Sequence, residues 1–138
     1  LFEFSQKSLD RMEGVNPKLI RVAHLALKIS KIDFGIPEHG GKREDDEQHQ
    51  LFLDGKSKAD GYDKLSYHQS GNALDFYAFV NGRASWEHDH LAMVAAAMLQ
   101  AAAQLNVSLE WGGFWSSNEL INGIPYGWDC AHIQLSIE

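Results

Sequence analysis

The chain has 138 residues, 44% of them hydrophobic and 22% charged, which fits one small globular domain and excludes a disordered polypeptide. Its 12 Lys and Arg against 19 Asp and Glu leave a formal charge of −7, which argues against a surface that tracks nucleic-acid phosphates. Cys130 is the single cysteine, so an intrachain disulfide and a cysteine-rich zinc scaffold are excluded, and no apolar run approaches the ~18 residues of a membrane span.

The first residues carry Glu3, Gln6 and Lys7 where a secretory leader is apolar, so cytoplasmic synthesis is expected. Asn16-Pro17 reads as a helix cap followed by proline at the first helical position. From there Leu19, Val22, Ala23, Ala26 and Leu27 recur at helical spacing and predict a buried stripe through about Ile29. Residues 33–37 read as a strand entering the loop His39-Gly40-Gly41, and a polar helix runs from about Glu44 to Leu53, closed by Gly55. The run Glu44-Asp45-Asp46-Glu47 is expected as a solvated first turn, where negative charge suits the helix dipole.

Residues 56–64 are polar and read as a loop. Residues 73–80, rich in aromatic and β-type side chains, predict one strand, with Asn81-Gly82 as a two-residue hairpin turn and residues 83–86 returning. A long helix built on Leu91, Val94, Met98, Ala101 and Leu105 follows, capped by Asp89 or Ser85. Residues 108–111 read as a strand and 111–127 as a loop. The closing segment then alternates, with Ile133, Leu135 and Ile137 on one face and His132, Gln134 and Ser136 on the other. The expected fold class is α+β: a small single domain with a largely antiparallel sheet and packed helices.

Two segments carry the residue types of a metal site. In Ser66-Tyr67-His68-Gln69-Ser70-Gly71-Asn72-Ala73-Leu74-Asp75, a His precedes an Asp by seven positions, and Gly71 allows a turn between them. In Asp129-Cys130-Ala131-His132, a second Asp and His open the last strand. Two neutral imidazoles and one carboxylate suit a three-ligand catalytic Zn²⁺, with a fourth position left to water. A carboxylate outside the ligand set must then take the proton of that water, and Asp129 is the natural candidate. Strand parity imposes a condition, because a straight strand would place Asp129 opposite His132. A bend between Asp129 and Ala131, near Gly127, is therefore required. Taken singly, each histidine reads equally as a hydrogen-bonded structural residue.

These two segments resemble the zinc motifs of the LAS-type metallopeptidases, which include lysostaphin-like enzymes, D-Ala-D-Ala peptidases and phage L-alanyl-D-glutamate endolysins. The resemblance covers most of the chain, from Phe4-Ser5-x-x-Ser8 through Phe34-Gly35-Ile36-Pro37 and Gly40-Gly41-Lys42-Arg43 to the His132 strand. It implies a hedgehog/D-Ala-D-Ala peptidase-like fold over residues 1–138 as one catalytic domain, with zinc held at the sheet. It further implies His68, Asp75 and His132 as zinc ligands, Asp129 as general base, and Arg43 as the group that holds substrate and stabilises the oxyanion. The implied function is a zinc peptidase acting on the peptide stem of bacterial peptidoglycan, at the L-alanyl-D-glutamate bond as in short endolysins. Cleavage at D-Ala-D-Ala, or a non-catalytic zinc-stabilised wall-binding module, are the alternatives. Such an enzyme acts as a monomer, with no nucleic-acid or membrane partner, and reaches the wall through a holin-like pore.

The remaining candidates have plainer readings. Without the family, Arg43 reads as a solvated loop residue. Cys130 could act as a nucleophile or as a fourth ligand, but a buried inert thiol is favoured. His88-Asp89-His90 resembles a chelate, yet at a helix start its imidazoles diverge. His24, His39 and His49 read as surface histidines. Tyr67, Tyr77, Tyr126, Trp115 and Trp128 could line a groove; since strand aromatics usually belong to the core, only Tyr67 and Trp128 are expected near the site.

Overall fold

The computed structural model describes residues 1–136, so Ile137, the last apolar position of the expected alternation, lies outside the described residues. Helix α1 (Gln6–Arg11) starts where Ser5 Oγ accepts the Ser8 N–H at 3.2 Å. Helix α2 (Pro17–Ile29) starts as expected: Asn16 Oδ1 accepts the Lys18 N–H at 3.0 Å, and Pro17 fills a position whose N–H would be unbonded anyway. Its buried residues are the expected stripe of Leu19, Val22, Ala23, Ala26 and Leu27.

Helix α3 (Asp45–Leu53) begins after Glu44, whose N–H donates to Glu47 Oε1 at 3.1 Å. Its acidic first turn does more than meet solvent. Asp45 accepts Gln69 Nε2 at 2.9 Å, and Asp46 accepts the Tyr62 hydroxyl at 2.9 Å, so two of these carboxylates anchor the following loop. Helix α4 (His88–Gln104) buries Leu91, Val94, Ala95, Ala97, Met98, Ala101 and Ala102, and packs against α2. Neither residue expected to cap α4 holds the N-cap position, which Glu87 occupies without a side-chain bond. Asp89 is instead engaged by the Tyr126 hydroxyl at 2.7 Å, and Ser85 Oγ by His90 Nδ1 at 2.7 Å.

Among the described residues six short strands occur: β1 (Asp33–Gly35), β2 (Ala73–Asp75), β3 (Tyr77–Val80), β4 (Arg83–Ser85), β5 (Leu109–Trp111) and β6 (His132–Leu135). All pairings are antiparallel, but they form two sheets rather than one, in the orders β1-β3-β4 and β2-β6-β5. The run 73–80, expected as a single strand, is shared between them and breaks at Phe76. There the Phe76 N–H donates to the Ala131 carbonyl at 2.9 Å, while its fully buried ring meets Phe34 edge-on at 6.5 Å. Burial of such a ring contributes about 1.5–3 kcal/mol, enough to fix the corner where the chain changes sheets. The β3–β4 turn is as expected: Asn81 and Gly82 take φ values of 53° and 81°, the left-handed pair a tight hairpin requires.

Candidate active site

The first segment is folded by its own side chains. Residues Tyr67–Ser70 form a 3₁₀ turn in which Ser66 Oγ accepts the His68 N–H at 3.2 Å and Gln69 Oε1 accepts the Ser66 N–H at 2.8 Å. Gly71 closes the turn at φ 77°, a conformation that suits glycine, and a Cβ there would lie 2.7 Å from the Gly14 carbonyl. The chain then enters β2, with Asp75 at the strand's end and directly opposite His132 on β6. The required bend is present. The His132 N–H reaches back to the Asp129 carbonyl at 3.3 Å, and the turn at residues 130–131 brings Asp129 Oδ2 to 3.8 Å from His132 Nδ1.

The loop 39–43 locks this arrangement. The Gly40 carbonyl accepts the Asp75 N–H at 2.8 Å, the Arg43 N–H donates to the His68 carbonyl at 2.9 Å, and the Gly41 carbonyl accepts His68 Nδ1–H at 2.9 Å. A carbonyl only accepts, so His68 carries a proton on Nδ1, and Nε2 is the ring nitrogen that faces inward. On the other side, His132 Nε2–H donates to Gln134 Oε1 at 2.8 Å, which frees Nδ1. The two inner ring nitrogens converge on Asp75 Oδ1: His68 Nε2 lies 3.2 Å from it, His132 Nδ1 lies 3.0 Å from it, and the nitrogens are 3.3 Å apart.

This triangle supplies a test of fit. A tetrahedral site with bonds of about 2.0–2.1 Å has ligand–ligand edges of about 3.3–3.4 Å, close to all three separations. The donor set of two imidazoles and a carboxylate is the kind zinc takes, and both histidines have hydrogen-bond partners behind them. Among the described residues, His68, Asp75 and His132 are the group of histidine, cysteine and acidic side chains whose ligand atoms converge within 4.8 Å. Cys130 is not part of it; its thiol is buried in the core, 3.4 Å from the Gly127 carbonyl.

The cluster opens onto a cleft of about 540 Å³, lined by Arg43, Tyr67, Trp115, Trp128, Asp129 and others. Arg43 is not a solvated loop residue: its side chain is only 12% exposed, and Lys42, not Arg43, pairs at the surface with Glu44. The guanidinium donates from Nη2 to Asp75 Oδ2 at 3.2 Å, from Nη1 to Gln48 Oε1 at 3.0 Å and from Nε to the His39 carbonyl at 2.7 Å. Burial lowers its pKa, and the carboxylates of Asp75, Glu47 and Asp129 oppose that. Burial works on Asp75 as well, but the two imidazoles outweigh it and hold this carboxyl below the ordinary value. Asp129 differs. Burial raises its pKa, with the charge of Asp75 adding and His132 opposing, which moves this carboxyl toward the range of a working base.

Tyr67 is half-buried and lines the cleft, and Trp128 stands 65% exposed on its rim. Three further neighbours complete the site, among them Trp115, which the sequence alone leaves outside it. Gln134 shares a strand face with His132, so its contact was within reach of parity alone. Gln48 is fully buried on an otherwise polar helix. Trp115 lies with its ring 5.2 Å from His132 and 5.0 Å from Trp128. The His88-Asp89-His90 triplet does diverge, His88 facing Tyr126 and His90 facing Ser85.

Known proteins resemble this chain in sequence and fold. The family profile described as phage L-alanyl-D-glutamate peptidase matches residues 1–136. The L-alanyl-D-glutamate peptidase of Escherichia phage T5 is 31% identical over 137 residues, covering 97% of this chain and 98% of the phage protein. The crystal structure of the Serratia marcescens L-Ala D-Glu endopeptidase ChiX superposes with a TM-score of 0.78 at 32% identity, over 97% of this chain and 90% of that one. The vancomycin-resistance D,D-dipeptidase VanXYg, solved with a D-Ala-D-Ala phosphinate analogue, shares the fold at a TM-score of 0.51 and 18% identity, over 88% of this chain and 50% of its own. The chain belongs to the phage L-alanyl-D-glutamate peptidase family.

Proposed function

We propose that this chain is a zinc-dependent peptidase that hydrolyses the L-alanyl-D-glutamate amide in the peptide stem of bacterial peptidoglycan. The observation that carries this reading is the convergence of His68 Nε2, His132 Nδ1 and Asp75 Oδ1 beside the Asp129 carboxylate in an open cleft. His68, Asp75 and His132 would hold the zinc, which would supply Lewis-acid polarisation of the scissile carbonyl and acidify a water there.

The chain's own groups do the rest. Asp129, with its raised pKa, accepts the proton of the attacking water and returns it to the leaving amine. Three of the five N–H groups of Arg43 are spent on Asp75, Gln48 and His39, which fixes the guanidinium plane and leaves two for the developing oxyanion. Gly41 and Gln134 hold the two imidazole tautomers through their outer nitrogens. Tyr67 and Trp128 flank the stem peptide along the cleft. The likeness to a phage enzyme supports delivery to the wall through a holin-like pore.

Mass analysis of digested peptidoglycan tests the reading. The expected product is a new N-terminal D-glutamate; released D-alanine would assign the bond to the D-Ala-D-Ala alternative. In the same assay Asp129→Asn is expected to keep stoichiometric zinc and lose roughly 10²–10⁴-fold in cleavage rate. A wild type that binds zinc and cleaves nothing would make the domain a wall-binding module.

A further inference from the structure

One wall of the cleft carries cations that the chemistry above does not use. Lys56 and Lys58, on the loop after α3, and Lys64, ahead of the His68 turn, line the same cavity as Asp75, Asp129 and His132. All three are exposed, and among the described residues none forms an ion pair, although the chain as a whole carries −7. Two neighbouring carboxylates are engaged by other groups. Asp60 Oδ1 accepts the backbone N–H groups of Tyr62, Asp63 and Lys64 at 2.9–3.0 Å, and Asp54 Oδ1 accepts Gln50 Nε2 at 3.0 Å.

The wall is tied to the reacting centre. Gln48, fully buried, accepts from Arg43 through Oε1, and its Nε2 donates to Ser57 Oγ at 2.8 Å and to the Ala59 carbonyl at 2.9 Å. That carboxamide fastens the loop bearing Lys56 and Lys58 to the guanidinium that contacts Asp75. On the Lys64 side, Gln69 Nε2 donates to the Gly61 carbonyl at 2.8 Å, which fastens this end of the loop to the His68 turn.

The substrate chemistry supplies a counterpart. A glutamate whose nitrogen lies in the scissile amide and whose one carboxyl continues the peptide keeps its other carboxyl free, a few bonds from the reacting centre. Inside the cleft that charge shares one cavity with the three lysines, whose sign complements it. We infer that Lys56, Lys58 and Lys64 form a subsite for the free carboxylate of the peptide stem, and select stems that carry it over stems in which it is amidated. This inference rests on the proposed peptidase activity.

Two synthetic stem peptides test it, one with the free D-glutamate carboxylate and one with a carboxamide in its place. Zinc-loaded wild type is expected to favour the acid peptide roughly tenfold in kcat/KM, mainly through KM, as three exposed ion pairs acting together would give. Added salt shrinks that ratio, because exposed charges are screened. The combined variant Lys56→Gln, Lys58→Gln, Lys64→Gln brings the ratio close to one. Lys42→Gln, which removes a lysine paired away from the cleft, keeps it. An undiminished preference in the combined variant, or no preference in the wild type, overturns the subsite. Cleavage of neither peptide by zinc-loaded wild type overturns the peptidase reading itself, and the subsite with it.

Discussion

The two sheets draw on the same run of sequence and use it differently. In β2-β6-β5 the central strand is β6, and antiparallel register sets Asp75 squarely across from His132. His68 reaches them from a turn whose backbone is bonded to the loop 39–43. Polar groups dominate this corner, yet among the described residues no buried side-chain nitrogen or oxygen lacks a partner. In β1-β3-β4 the central strand is β3, Phe79 is exposed at 42% with Trp86 just past β4 at 52%, and none of His68, Asp75 and His132 is present. Its contribution is Phe34 and the corner at Phe76, which hold the other sheet in place. Rigid convergence thus depends on register and hydrogen bonds in one sheet, and the other serves as its buttress. The two should fail differently when altered.

The largest effect is expected from Asp75→Ala. This carboxylate touches both imidazoles and Arg43, so its loss removes one ligand and leaves the guanidinium without its partner. Removing a hydrogen-bond partner behind a ligand typically costs 10- to 100-fold in metal affinity, and losing a ligand outright should exceed about 100-fold. Metal content after dialysis measures it, with circular dichroism reporting whether the sheets survive. Full zinc retention by this variant would remove the ligand role from β2.

A second expectation concerns pH. Burial favours neutral His132, but its hydrogen bond to Asp75 and the charges of Asp75 and Asp129 outweigh that and raise its pKa above 6.5. In metal-free protein this pairing contributes stability that is fully present below pH 6.5 and is lost as pH rises through the raised value. A zinc ligand must be unprotonated, so metal binding has the opposite dependence and gains strength over the same interval. The difference in Tm between zinc-loaded and chelated protein should therefore widen as pH rises from about 5 to 8. A difference that narrows would exclude His132 as a ligand.

How far the sequence foretold this follows from what each feature depends on. The α2 stripe, the Asn16 cap and the Asn81-Gly82 turn are governed by neighbours within a few positions, and each came out as read. The convergence of His68, Asp75 and His132 was legible because these residue types, and the family resemblance they carry, concentrate in two short segments. The division of residues 73–80 was not legible, because the break at Phe76 depends on the Ala131 carbonyl and the Phe34 ring, both remote in sequence. The same holds for Arg43, which composition alone places in solvent and which Gln48 and Asp75 draw inward. Gln48 itself, buried on a polar helix, gives no periodic signal at all.

The smallest effect is expected in the buttressing sheet, and it is the sharpest test of the division of labour. Gly82 sits at φ 81° in the β3–β4 turn, and a Cβ there would meet nothing within 4 Å. Gly82→Ala therefore introduces backbone strain without a clash, costing about 1 kcal/mol and lowering Tm by roughly 3–5 °C. Because the turn holds no ligand and touches none of the groups around Asp129, zinc content and kcat/KM should stay within about twofold of wild type, well below the tenfold that 1.4 kcal/mol of transition-state energy represents. Thermal melts and kinetics on the same preparation separate the two quantities. Should activity fall while Tm holds, the hairpin shapes the site directly, and the two sheets act as one catalytic unit.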